Sequence, residues 1–253
     1  MNDSNRKLIM INSVFKKFDI GHKDKKSILS KITNFFSGRE SRKKIDVISD
    51  ISFDIGKGEV VGLIGRNGSG KSTLLRLIAE IYTPDSGLII CDGKIMYING
   101  LNHGIKQRLT MKENVFLSGS IMGLSRNEVQ NQFNNIVEFS GLGNFVNTKI
   151  YQFSSGMVTR LNFSIFIHFM LIKKPEILLI DEIFGVGGDL DFNRKAESKM
   201  TEFIKSGVTV IITGHQLNDI QKYCSRVLWI ENGVLIEDGA PNIVIGKYRL
   251  SKK

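Results

Sequence analysis

The stretch Val60-Val61-Gly62-Leu63-Ile64 leads into Gly65-Arg66-Asn67-Gly68-Ser69-Gly70-Lys71-Ser72-Thr73 and then Leu74-Leu75-Arg76-Leu77-Ile78. It reads as strand, glycine loop and helix, with a full match to G-x-x-x-x-G-K-[ST]. Such a loop turns backbone N–H groups inward around phosphate oxygens, and the helix N-terminus adds positive dipole at the same point. Gly65, Asn67, Gly68, Ser69, Gly70, Lys71, Ser72 and Thr73 therefore form a candidate nucleotide cradle. In it Lys71 would hold the β- and γ-phosphates and Ser72 would ligate Mg²⁺.

Farther along, Ile177-Leu178-Leu179-Ile180 delivers Asp181-Glu182 to the carboxyl end of a buried strand, where open α/β sheets bind their ligands. Adjacent acids can divide the work of in-line phosphoryl transfer: Asp181 can hold Mg²⁺ through water while Glu182 orients or deprotonates the attacking water. A further apolar run, Val208 to Thr213, ends at Gly214-His215, where a neutral imidazole could bond the γ-phosphate or the attacking water. Ser154-Ser155-Gly156-Met157 precedes the helix-like run Val158 to Ile172 and offers hydroxyls and N–H groups as a second phosphate cradle. His22, His103 and His168 make no pair at metal-ligand spacing, so no zinc is expected.

Apolar runs at Leu8–Ile11, Ile51–Ile55, Val60–Ile64, Leu88–Cys91, Ile177–Ile180, Val208–Thr213 and Val227–Ile230 read as strands that must position these groups. Several are apolar on both faces and alternate with helical stretches, the pattern of a largely parallel sheet. Thr110 with Glu113, and Ser125 with Glu128, make capping boxes, so residues 110 to about 142 read as a helical insert. Asn232-Gly233 signals a tight hairpin.

At 253 residues, 42% hydrophobic and 24% charged, the chain is an ordinary globular sequence; disorder and fibrous repeats are excluded. Leu161 to Ile172 is too short and too interrupted to span a bilayer, which needs about 20 apolar residues. Two cysteines and a start without a long apolar segment suggest a reducing cytoplasm. The net charge of +10 favours polyanions: nucleotides, nucleic acid or an anionic leaflet. From Lys16 to Lys44 ten basic residues face three acidic ones, so the excess is concentrated before the glycine-loop strand.

The order of glycine loop, helical insert, Ser-Ser-Gly-Met, Ile-Asp-Glu and Gly-His resembles the nucleotide-binding subunit of ABC transporters from about residue 8 to 240. The Ser155/Met157 form of the signature, Val186-Gly187 after Asp-Glu, the Leu109–Asn114 stretch and the basic insertion resemble the branch that exports O-antigen, capsule and teichoic acid. The resemblance implies a P-loop ABC-type α/β core in one domain, 1–253. Its sheet would be mixed and largely parallel, with antiparallel elements, a basic insertion at about 19–45 and a helical subdomain at about 105–172. It implies a homodimer that sandwiches ATP and Mg²⁺ between the glycine loop of one copy and Ser154, Ser155 and Gly156 of the other. It also implies an integral membrane permease as partner, a peripheral place on the inner face of the cytoplasmic membrane, and no nucleic acid. A non-transport ABC ATPase acting on nucleic acid or the ribosome is the alternative, which the +10 charge suits. A small-molecule kinase is a weaker one, because it leaves the signature segment unexplained.

Three positions depart from the family pattern. No glutamine stands near Asn99 to Asn102, so Asn99, Asn102 or another group must serve the Q-loop role, Gln107 falling too late. Gly187-Gly188-Asp189 carries one residue more than the related exporters. The adenine platform would be Phe18, although Phe15 and Phe18 read equally as strand core. The chain stops at Lys253, so substrate choice through an appended sugar-binding domain is not expected.

Ile28, Leu29, Ile32, Phe35 and Phe36 gather on one helical face among Lys25, Lys26, Lys31, Arg39, Arg42, Lys43 and Lys44. Exposure would forgo about 1.5–3 kcal/mol of burial for each large apolar side chain. A helix packed on the subunit's own core or a solvated linker would also suit these residues. The resemblance places an insertion at this point near the membrane subunit, so docking on the cytoplasmic face of the transporter is what it implies for this segment. Replacing residues 27–44 by a Gly-Ser linker should leave ATP binding by the isolated subunit intact and abolish export or membrane recovery. Normal export would remove the docking role, and an isolated subunit that no longer folds would assign the helix to its own core.

Overall fold

The structure, a computed structural model, describes residues 6–20, 43–99, 104–181, 190–214 and 216–252. Glu182, His215, Asn102, Gly187-Gly188-Asp189 and most of the basic segment lie outside them. Two sheets organise the rest. β1 (Lys7–Ile20) lies between β2 (Lys43–Gly56) and β4 (Ser86–Cys91) in an antiparallel sheet. The second sheet has the order β5-β6-β7-β3-β8-β9, made from β3 (Val60–Ile64), β5 (Ile95–Asn99), β6 (Ile177–Asp181), β7 (Thr209–Thr213), β8 (Arg226–Glu231) and β9 (Val234–Gly239). All its pairings are parallel except that of β8 with β9. Seven α-helices lie among the described residues: α1 (Lys71–Ile78), α2 (Met111–Ile121), α3 (Arg126–Ser140), α4 (Ser155–Lys173), α5 (Leu190–Lys205), α6 (Leu217–Tyr223) and α7 (Pro241–Leu250), with two short 3-10 turns at Gly143–Phe145 and Ile150–Gln152.

The central strands β3, β6 and β7 are buried along their whole length, which is why their sequences are continuous apolar runs. The two-residue period of a strand then sorts side chains to two faces. Val61, Leu63, Leu179 and Ile211 join Ile9, Ile51, Leu74 and Leu75, so α1 and the antiparallel sheet cover that face. Val60, Ile64, Leu178, Ile180, Val210 and Ile212 join Phe163, Phe166, Phe192 and Ile220 on the other, under α4, α5 and α6. A third core, with Met111, Val115, Phe133 and Ile136, belongs to the inserted helices. Helix α4 serves two cores, giving Leu161, Ile165 and Phe169 to the insert and Phe163, Phe166, Ile167 and Met170 to the sheet.

The strands depart from the sequence reading at their ends. β1 runs on to Ile20 and β2 starts at Lys43, with Asp19 opposite Lys44, so residues 19–20 and 43–45 of the basic segment are paired strand. Lys43 and Lys44 are strand residues, and the linker replacement above should spare them. β5 joins the strands read from the sequence, its short apolar run Ile95–Ile98 being only half-buried. β7 begins at Thr209 rather than Val208.

Both capping boxes form. Glu113 accepts from Thr110 N–H at 2.8 Å and from its hydroxyl at 2.9 Å. Glu128 accepts from Ser125 N–H at 2.7 Å and from its hydroxyl at 2.6 Å. The backbone bond foremost for Glu113, and the hydroxyl bond foremost for Glu128, hold both carboxyls below the usual glutamate range. A folded value below the unfolded one gives stabilisation that is present above the unfolded value and is lost as pH falls through the folded one. Urea unfolding should therefore show the wild type losing more stability than E113Q/E128Q between about pH 5 and pH 3. Equal acid slopes would mean that these charges do not support the helices.

Candidate nucleotide site

The glycine loop sits between buried β3 and α1, at the carboxyl end of the parallel sheet. Gly65 has φ +152°, and a side-chain carbon there would lie 2.0 Å from the Ile230 carbonyl oxygen, so only glycine fits. Gly70, in the left-handed region at φ 106°, caps α1 without a side-chain bond, and no acid stands in the helix's first turn. The first N–H groups of α1, including those of Ser72 and Thr73, are thus not claimed by a side-chain cap. Lys71 lays its ammonium back over the loop, donating to the carbonyls of Gly65 at 3.0 Å and Arg66 at 2.9 Å. Ser69 is 3% exposed, and its hydroxyl has no hydrogen-bond partner among the described residues. Asn67 and Gly68 are exposed at the tip. A donor-lined loop with a poised lysine and an orphaned buried hydroxyl fits a phosphate group.

Asp181 ends β6 beside this loop's strand set and is 3% exposed. Thr213 donates its hydroxyl to Oδ1 at 2.6 Å, and the Tyr97 hydroxyl lies 3.4 Å from Oδ2. Burial, foremost, pushes the Tyr97 phenol up, so it remains a donor at neutral pH. A buried carboxylate with a serine hydroxyl on a neighbouring helix is the oxygen donor set that suits Mg²⁺. Asn99 pairs with Asp181 in the β5–β6 register and is exposed at the strand end, so the structure puts one of the two Q-loop candidates beside the acid. Gln107 lies in the inserted lobe, its carbonyl accepting from Tyr151 N–H at 3.0 Å.

Ser154 caps α4 and accepts from Met157 N–H at 3.2 Å; Ser155 is exposed and Gly156 half-buried in the first turn. Its N-terminus therefore faces solvent, open to another molecule. Phe18 is paired with Ile45 and meets Tyr82 edge-on at 5.4 Å, with the Lys16 ammonium 5.4 Å from its ring centre. It is half-buried and borders a cleft of about 330 Å³ with Lys17, Asp19, Lys44 and Asp85. Both the strand-core and the platform readings of Phe18 keep that geometry. Burial raises the thiols of Cys91 to about 11 and Cys224 to about 12, so neither is a nucleophile here. Tyr97 and Thr213 were missed by the sequence reading, since their contacts with Asp181 span 84 and 32 residues.

The family model described as ABC transporter matches residues 48–185, from β2 through the strand that ends at Asp181. The chain belongs to the ABC transporter family. An O-antigen export system ATP-binding protein, RfbB of Klebsiella pneumoniae, is 41% identical over 207 residues, covering 82% of each chain. The teichoic acids export ATP-binding protein TagH of Bacillus cereus is 35% identical over 241 residues, 95% of this chain and 42% of that one. Among solved structures, an ATP-binding subunit of an ABC transporter aligns over 96% of this chain and 94% of its own, with TM-score 0.67 and 21% identity. A dimeric ATP-binding cassette in a post-hydrolysis state, bound to ADP and phosphate, aligns over 92% and 98%, with TM-score 0.67 and 20% identity. These likenesses establish the fold of an ABC cassette.

Removing the Lys71 ammonium should weaken ATP binding itself. Charge-assisted hydrogen bonds contribute about 1.5–3 kcal/mol, so K71A should bind ATP about 10- to 100-fold more weakly by calorimetric titration. Unchanged affinity would take Lys71 out of the phosphate site.

Proposed function

We propose that this cassette is the ATP-hydrolysing subunit of an exporter of lipid-linked cell-surface polysaccharide, working as a homodimer beneath a separate membrane permease. The 41% identity with the O-antigen export subunit over 82% of both chains carries the reading, because it extends far beyond the nucleotide motifs. The names of the TagH relatives support the same substrate class, a polymer moved to the cell surface. A cassette of this kind is held on the inner face of the membrane by its permease.

Each residue has a task in this reading. Lys71 leaves the loop carbonyls for the phosphate oxygens, while the N–H groups of the loop and of α1 surround them. Ser72 and Asp181 would hold Mg²⁺, which when bound neutralises phosphate charge. The Glu182 carboxylate takes a proton from water as its oxygen bonds to the γ-phosphorus, the bond to the bridging oxygen breaks, and ADP and phosphate result. His215 orients the γ-phosphate or that water. Ser154, Ser155 and Gly156 complete the site of a second copy, as the exposed N-terminus of α4 allows. Phe18 supports the adenine ring.

E182Q should lose steady hydrolysis by about 10²-fold or more, the usual worth of a general base. It should keep ATP affinity and accumulate as an ATP-bound dimer, seen by light scattering on a sizing column. Unchanged turnover would remove Glu182 from the reaction. Cells lacking the subunit should retain the polymer inside, and surface polysaccharide at wild-type levels would defeat the export assignment.

A further inference from the structure

Asp181 is gripped from both flanking strands. Thr213, its register partner at the end of β7, donates to Oδ1 at 2.6 Å. On the β5 side, Tyr97 lies 3.4 Å from Oδ2. Tyr97 is also the foremost influence that holds the Arg76 guanidinium of α1 above the usual arginine range. An ionised carboxylate can only accept, so the Tyr97 hydroxyl is the donor to Asp181. The strand period explains the meeting: Tyr97 pairs with Leu179, which shares a face with Asp181, and Thr213 shares that face with Ile211.

We propose that Thr213 and Tyr97 are positioning residues for the metal site, locking the rotation of the Asp181 carboxylate from two sides. A carboxylate has about four lone-pair sites, so two hydrogen bonds leave capacity for a cation while removing the freedom of the group to turn away. Outer-shell partners of metal ligands are commonly worth about 10- to 100-fold in metal affinity. The inference rests on Asp181 as a metal ligand.

The test uses the full chain and its T213V, T213S and Y97F variants, with ATP affinity measured in Mg²⁺ and in EDTA. Binding of Mn²⁺ to the ATP complex is followed by electron paramagnetic resonance. T213V keeps shape and loses the hydroxyl; it should bind metal-free ATP within about twofold of wild type and lose about tenfold in Mn²⁺ affinity. T213S should restore it, and Y97F, whose bond is longer, should lose severalfold. Wild-type Mn²⁺ affinity in T213V, or an equal loss of metal-free ATP binding, would overturn the proposal. Should T213V not fold, Y97F reads the same quantity, and an unaltered Mn²⁺ affinity there overturns it. A wild type that binds ATP without any response to Mg²⁺ or Mn²⁺ would instead defeat the metal assignment of Asp181 beneath it.

Discussion

Three turns of backbone meet at the phosphate loop, and their contact is tighter than any side chain would permit. A side-chain carbon on Gly65 would strike the Ile230 carbonyl at 2.0 Å, and one on Gly233 would strike the Val47 carbonyl at 2.4 Å. Hydrogen bonds close the same junction: Gly233 N–H donates to Ser69 O at 3.0 Å, and Ser49 N–H donates to Gly233 O at 2.8 Å. The loop after β3, the bend of β2 and the β8–β9 hairpin are thereby fixed to one another. Because β2 belongs to the antiparallel sheet and β8 to the parallel one, this junction sets how the two sheets stand at the site. Asn232-Gly233, a hairpin signal in the sequence, is thus also a wall of the nucleotide site.

From that junction the chemistry is distributed by strand order. Parallel strands all end on one edge, so Asn99, Asp181 and Thr213, the last residues of β5, β6 and β7, stand in a row beside the loop that follows β3. Side-chain facing then selects among them. Asp181 and Thr213 face the same side as α1, which brings a carboxylate, a hydroxyl and the lysine helix together without any local sequence pattern. The broad open groove of about 700 Å³ between α5 and α6 lies on the opposite face of the sheet. Its walls are charged, with Lys222 paired to Glu197 at 2.7 Å, which suits a solvated surface better than a nucleotide site.

What the chain discloses in its sequence is what is local. The glycine loop, both capping boxes and the buried strands β3 and β6 are legible because each is set by residues within a few positions of one another. β5 is not, since its half-buried residues take their register from β6, some eighty positions away. The full length of β1 is hidden for a similar reason: Lys16, Lys17 and Asp19 put polar groups into a strand that only its pairing with β2 defines. The two clamps on Asp181 are invisible for the strongest version of this reason, being contacts between three strands. Phe18 marks the limit in the other direction: its residue type permits stacking, yet a ring set edge-on to Tyr82 is equally at home in a strand.

Helix α4 shows how composition alone can mislead and what resolves it. With 19 residues and a mean hydropathy of 1.3 over its window, it is apolar enough to cross a bilayer by length and composition. The ten residues from Leu161 to Met170 are nevertheless all buried in protein, because the helix must satisfy the sheet core on one side and the inserted helices on the other. A helix between two cores is apolar nearly all round for the same reason a membrane helix is. Two of its buried polar groups are answered within the helix: Ser164 Oγ donates to Arg160 O at 2.6 Å, and His168 Nδ1 meets Ser164 O at 2.7 Å. Burial, foremost, also depresses the His168 value, favouring a neutral ring. The apolar load of α4 thus has a mechanical use: it joins the lobe that presents Ser154–Gly156 to the sheet that presents Asp181, so movement at one must be felt at the other through packed side chains.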